Sequence, residues 1–171
     1  QYFDVIYVIT LPNRKKYIKE ILNKIGIYPI FFDAYQKDLL DLTLLKNIGF
    51  ISEDYKGNNG KIACHYSHIS VLKKFYNSDF NNCIIFEDDI KELTLNIKEF
   101  EKRVKNVMDN LPKTYDLLYL GRCWDKCHKQ IYLSDYLVRS FFPQCRHAYG
   151  VSKKGAKIVI EKSLPMVNSG G

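Results

Sequence analysis

A chain of 171 residues is long enough for one domain with its own core, and 46% hydrophobic against 26% charged residues excludes a disordered polymer. No apolar run reaches the roughly 18 residues a membrane span needs, and the N-terminus shows no secretion signal pattern, so no membrane span or signal peptide is expected in this chain and its location reads as cytoplasmic or is left open. The formal net charge of +7 suits an anionic partner, but it is scattered in short runs such as Arg14-Lys15-Lys16, and much of it reads as solvated surface.

Along the chain, strand and helix signals alternate. Residues 4–11 (DVIYVITL) are apolar and β-branched, which predicts a buried strand ended by Pro12. Tyr17, Ile18, Ile21, Leu22 and Ile25 then form one helical stripe, stopped by Gly26. Residues 27–34 (IYPIFFDA) predict a second strand, 37–47 a leucine-rich helix, and 52–60 (SEDYKGNNG) a polar loop. A helix over 61–76 puts His65, Ile69, Leu72 and Tyr76 on one side. Residues 83–86 (CIIF) predict a strand that runs into Glu87-Asp88-Asp89. An amphipathic helix then uses Ile97, Phe100, Val104, Val107 and Met108. Residues 116–121 (DLLYLG) predict a strand and 131–142 a short hairpin, and 148–152 lead into a helix over 154–162. This alternation implies an α/β fold, a mostly parallel sheet flanked by helices.

Three stretches carry candidate chemistry. Glu87, Asp88 and Asp89 follow a buried strand, where open α/β sheets bind ligands, and three adjacent acids call for a compensating cation such as Mg²⁺ or Mn²⁺. The alternative is a solvated turn or helix start. Gly60 and Lys61 open a helix whose free N–H groups and positive end suit an anion, while His68 at helical spacing from Cys64 and Leu72 reads as a packed core residue. Arg14 stands just past the first strand, within reach of a phosphate or base, or as an ordinary surface arginine. The five cysteines are an odd number, which favours a mainly reduced state. Cys123, Cys127, Cys145 and His147 leave a zinc site, a disulfide or free thiols open.

In order, these pieces resemble glycosyltransferase family 25, which includes lipopolysaccharide glycosyltransferases and procollagen galactosyltransferases. The matching residues are Val8-Ile9-Thr10-Leu11 with Arg14, Asp33-Ala34, Gly60 to His68 with Val71-Leu72-Lys73-Lys74, and Ile85-Phe86-Glu87-Asp88-Asp89. Asp116 to Gly121, His147 to Ser152 and Gly155-Ala156 complete the set, which covers nearly the whole chain. The resemblance implies one glycosyltransferase domain over 1–171, open to truncation at its C-terminus, with a GT-A type, Rossmann-like nucleotide-sugar fold. It implies inverting transfer of galactose or glucose from a UDP-sugar, with Mn²⁺ or Mg²⁺ as cofactor. Asp89 would hold the metal, with Glu87 assisting at metal or ribose. Thr10, Leu11, Arg14, Ala34, Lys61, Ser67, Glu87 and Asp88 would bind the donor. The family carries a further acid shortly after the position of Leu164-Pro165-Met166, which this sequence, ending at Gly171, does not include.

Inversion also calls for a base at the acceptor hydroxyl, and Asp125, in the loop after Gly121, is the candidate. The acceptor would be a glycan or a hydroxylysine-bearing protein. A catalytically inactive nucleotide-sugar binder is the alternative. A nucleic-acid binder, suggested by +7 and thirteen tyrosines, is disfavoured because no element carries a basic, aromatic cluster.

Overall fold

A computed structural model of the chain describes residues 2–90, 96–121, 123, 126–141 and 143–167. In chain order, β1 (Val5–Thr10) leads to α1 (Lys15–Lys24), β2 (Ile30–Asp33), a short α2 (Leu42–Asn47) and the long α3 (Asn59–Tyr76). Next come β3 (Asn82–Glu87), α4 (Ile97–Asn110) and β4 (Leu117–Tyr119). A hairpin of β5 (Ile131–Tyr132) and β6 (Val138–Arg139) precedes β7 (Ala148–Ser152) and α5 (Lys153–Lys162).

Five strands form one sheet in the order β2-β1-β3-β7-β4. β1 pairs in parallel with both β2 and β3, whereas β7 runs antiparallel to β3 and β4. The sheet is therefore mixed, with only β7 reversed, where the sequence pattern suggested mostly parallel strands. The reason lies in the connections. Helices separate β1 from β2 and β2 from β3, and parallel strands need such crossovers. The excursion from β4 to β7 is a hairpin segment, and β7 returns beside β4 in the opposite sense.

Side-chain alternation along β1 divides the core between two faces. Val5, Tyr7 and Ile9 pack with Ile69, Leu72 and Phe75 of α3. Val8 faces the other way, onto Ile18 and Leu22 of α1. On that second face, Ile84 and Leu118 meet Val107 and Met108 of α4.

Caps and prolines explain where element ends differ from the sequence reading. The helix expected over 37–47 divides into a 3₁₀ turn, Lys37–Leu39, and α2, because the Asp41 side chain caps the latter by accepting from Leu44 N–H at 2.9 Å. α3 begins earlier than expected, since Asn58 Oδ1 accepts from Gly60 N–H at 2.6 Å. β2 starts only after Pro29, which lacks an N–H for the ladder. Among the described residues, no helix is long and apolar enough to cross a membrane.

Candidate active site at the carboxyl ends of the parallel strands

β1, β2 and β3 all point their carboxyl ends at one cleft of about 350 Å³. Ile9 and Leu11 wall it from β1, the segment from Ala34 to Asp38 from β2, and Glu87 and Asp88 from β3. The first turns of α3 close the remaining side with Gly60, Ala63, Cys64, Ser67 and His68.

Asp88 ties the exits of β1 and β3 together. Its Oδ2 accepts the backbone N–H of Leu11 at 2.9 Å and lies 3.1 Å from the Thr10 hydroxyl. Its Oδ1 accepts from the Arg14 guanidinium at 3.0 Å, forming an ion pair. Thr10 itself is fully buried, so its hydroxyl serves this clamp rather than the open cleft. Asp88 and Arg14 thus neutralise each other beside the cleft, and both hold the turn that leaves β1.

Ser67 does the same for β2. Its hydroxyl donates to Ala63 O at 2.8 Å and accepts from Tyr35 N–H at 3.0 Å. Ala34 N–H donates to Thr10 O at 2.9 Å. The Tyr35 ring stacks on Tyr66 of α3, with centroids 4.1 Å apart and planes at 22°. The wall after β2 is therefore fixed by both backbone and ring contacts.

Glu87 is held by a buried relay. Tyr149 Oη stands 3.0 Å from His68 Nδ1, and His68 Nε2 stands 2.7 Å from Glu87 Oε1. Burial raises the Tyr149 pKa, so the phenol keeps its proton and donates to Nδ1. Burial also lowers the His68 pKa, against the opposing pull of its hydrogen bond to Glu87. A neutral His68 therefore donates Nε2–H to the carboxylate. That bond is the largest cause of the lowered Glu87 pKa, which keeps the acid charged. The helical spacing predicted His68 as a core residue, and it is buried. Its bond to Glu87 was not visible in spacing, because it depends on α3 lying across β3.

The remaining sequence candidates sit apart from this centre. Lys61 is exposed at the start of α3, next to Gly60 but outside the cleft lining. Asp89 is also exposed and borders a neighbouring hollow with Phe86, Ile90 and His147. Asp125 lies outside the described residues. The described cysteines divide into a Cys123–Cys145 disulfide, with Cα atoms 5.8 Å apart, and free Cys64, Cys83 and Cys127. Three of five thiols are thus free, and the pairing selects the disulfide over the four-ligand zinc set. Cys123 and Cys145 come together because Cys123 and Gln144 form an antiparallel bridge.

Open α/β sheets bind ligands in the crevice beyond the carboxyl ends of their parallel strands, and here that crevice is the cleft walled by Glu87 and Asp88. The sequence model of glycosyltransferase family 25 (LPS biosynthesis protein) matches residues 3–166, and the chain belongs to that family. It is 32% identical over 171 residues to a Haemophilus influenzae protein named "Putative glycosyltransferase", covering 97% of this chain and 60% of that protein. It is 27% identical over 134 residues to human "Procollagen galactosyltransferase 2", covering 70% of this chain and 21% of that one. A rat protein named "Probable inactive glycosyltransferase 25 family member 3" is also 27% identical over 134 residues, covering 70% of this chain and 23% of its own length. The chain therefore spans less than two thirds of each of these relatives.

Proposed function

We propose that this chain is the donor-binding part of a UDP-sugar-dependent glycosyltransferase of GT-A type, which transfers galactose or glucose with inversion to an acceptor hydroxyl. The observation that carries the reading is the cleft itself: it lies where β1, β2 and β3 end together, and Asp88 fixes its floor. Leu11, Ala34 and the Tyr35–Tyr66 stack offer a partly apolar wall suited to a nucleobase. Glu87, in the cleft wall, supplies oxygen donors of the kind that fit a hard cation such as Mn²⁺ or Mg²⁺, whereas Asp89 borders the neighbouring hollow and would join that cation only if the turn after β3 shifts. Such a cation would neutralise the diphosphate leaving group.

In this reading the chain's own residues mostly position. The Tyr149–His68–Glu87 relay keeps the Glu87 carboxylate ionised and aimed at the cleft. The Gly60, Lys61 and Ile62 N–H groups at the start of α3 are bonded to Asn58 rather than free as the sequence suggested, so this turn would act on phosphate oxygens through its positive dipole end, with Lys61 adding a charge nearby. Asp125 is the proposed base for the acceptor hydroxyl, which belongs to a glycan or a hydroxylysine-bearing protein.

Assaying hydrolysis and transfer across a UDP-sugar panel, with and without Mn²⁺, tests the reading. Turnover of UDP-galactose or UDP-glucose that needs the metal is expected. Equal calorimetric affinity for UDP, GDP and ADP would remove the uridine site. A relative named as inactive gives the second reading, a nucleotide-sugar-binding module. Tight UDP binding with no turnover of any donor would assign the chain to it.

A further inference from the structure

Cys64 and His68 lie four residues apart on α3, so they present neighbouring side chains on one helix face. Glu87 meets them from the end of β3. Cys64 Sγ stands 3.9 Å and His68 Nε2 2.7 Å from the same oxygen, Glu87 Oε1. One donor atom from each of the three lies within 4.8 Å of the others. Ligand atoms around a tetrahedral zinc, bonded at roughly 2.0–2.3 Å, stand about 3.3–3.5 Å apart. The trio is thus close to a metal-binding spacing before any ion arrives: the His68–Glu87 contact must open from 2.7 Å, and Cys64 Sγ must close in from its 3.9 Å separation from Glu87 Oε1.

We propose that Cys64, His68 and Glu87 form a site for a thiophilic divalent cation of the Zn²⁺ class, with a fourth position open to the cleft. The donor set is sulfur, imidazole nitrogen and carboxylate oxygen, which selects zinc-like ions over Mg²⁺ or Ca²⁺. It therefore differs from an all-oxygen site at Glu87 and Asp89.

The surroundings supply the outer support such a site needs. His68 is 1% exposed, so its ring is locked, and Tyr149 Oη at Nδ1 is a ready second partner. On binding, Nε2 gives up its hydrogen to become the ligand, and His68 takes the Nδ1–H tautomer, donating to Tyr149 Oη. Cys64 releases its thiol proton to solvent and binds as thiolate, so one proton leaves per ion bound. Thiolate and carboxylate together balance the dication. The Arg146 guanidinium is bonded to His65 Nδ1 at 2.9 Å and also hydrogen-bonds Cys64, so it opposes the incoming dication while favouring the Cys64 thiolate, and that bond must be released when the thiolate takes the ion.

Occupation would draw Glu87 onto the thiophilic ion and away from a nucleotide-sugar. The site makes no use of the donor reading, so it is tested with neither nucleotide nor Mn²⁺ present. Titrating Co²⁺ into the protein with its disulfide intact should produce a thiolate-to-cobalt charge-transfer band, which Zn²⁺ bleaches. Cys64→Ser, at an exposed position, should abolish the band with melting temperature unchanged, while Cys127→Ser keeps it. Tyr149→Phe should weaken Co²⁺ binding by about 10–100-fold, as loss of an outer-shell partner does. No band in the unmodified protein, or a band that survives Cys64→Ser, would overturn the proposal.

Discussion

Asp88 uses both carboxylate oxygens on the protein itself, and Glu87 one of its two, so adjacent acids have different work. Adjacency in sequence predicted a shared site, and hydrogen bonding separates the roles. Asp88→Ala would orphan the partly buried Leu11 N–H and unpair Arg14, while the Thr10 hydroxyl keeps Leu11 O as its acceptor. It should lower stability by about 1–3 kcal/mol, read as a shift in urea midpoint. His65 gives a second residue-level expectation. Burial, with the Arg146 charge, lowers its pKa to about 4, from 6.5. Between those two values the unfolded chain takes up a proton that the folded chain refuses, so stability falls as pH drops through that window. The loss should reach on the order of 3 kcal/mol by pH 4. Urea midpoints at pH 7 and pH 5 should converge in His65→Gln relative to the unmodified protein. An unchanged pH slope would place the acid sensitivity elsewhere.

Packing between elements depends on a few close approaches. α5 begins at the Ser152 cap, whose Oγ accepts from Gly155 N–H at 3.0 Å, and it sits against the strand entry at Asp116. A Cβ at Gly155 would collide with the backbone carbonyl of Asp116, which cannot swing aside as a side chain would. Gly155→Ala should therefore destabilise by about 1–3 kcal/mol through overpacking, seen as a lower melting temperature. The same closeness explains which parts of the fold were readable in advance. Apolar stripes located β1, α1, α3 and β3, because each buries one face or both, and α4, whose stripe is half-buried against Ile84 and Leu118. The reversal of β7 was not readable, because strand direction follows from the connection and not from the strand's own residues. The division of the 37–47 segment turned on one cap, Asp41, inside a run of leucines that reads as continuous helix. The candidate site was read in the same uneven way. The acid triplet was plain from its strand exit, whereas the Tyr149–His68–Glu87 relay joins three elements and has no local signature.

Across the molecule, the cleft, the clamp and the exposed Asp89 give opposite expectations for neighbouring acids. If Asp89 holds a cation, it does so only when metal and diphosphate are present. In the ligand-free protein it is an exposed acid beside two others, and removing it relieves like-charge repulsion. Asp89→Ala should then leave ligand-free stability unchanged or slightly raised, within about 1 kcal/mol, as for surface substitutions. The same change should sharply weaken Mn²⁺-dependent UDP binding and abolish transfer. If Asp89 instead only supports the turn after β3, stability should fall by roughly 0.5–2 kcal/mol, as on loss of a cap, and UDP affinity should barely move. Ligand binding to the folded state stabilises it by RT ln(1 + L/Kd), with L the free ligand concentration, and so raises the melting temperature, and the two cases separate in melts with and without Mn²⁺ plus UDP. The unmodified protein and Asp88→Ala serve as the two references, because the clamp variant lowers stability in both conditions. An Asp89→Ala protein that keeps its full ligand-induced shift would sink the metal assignment while leaving the clamp intact.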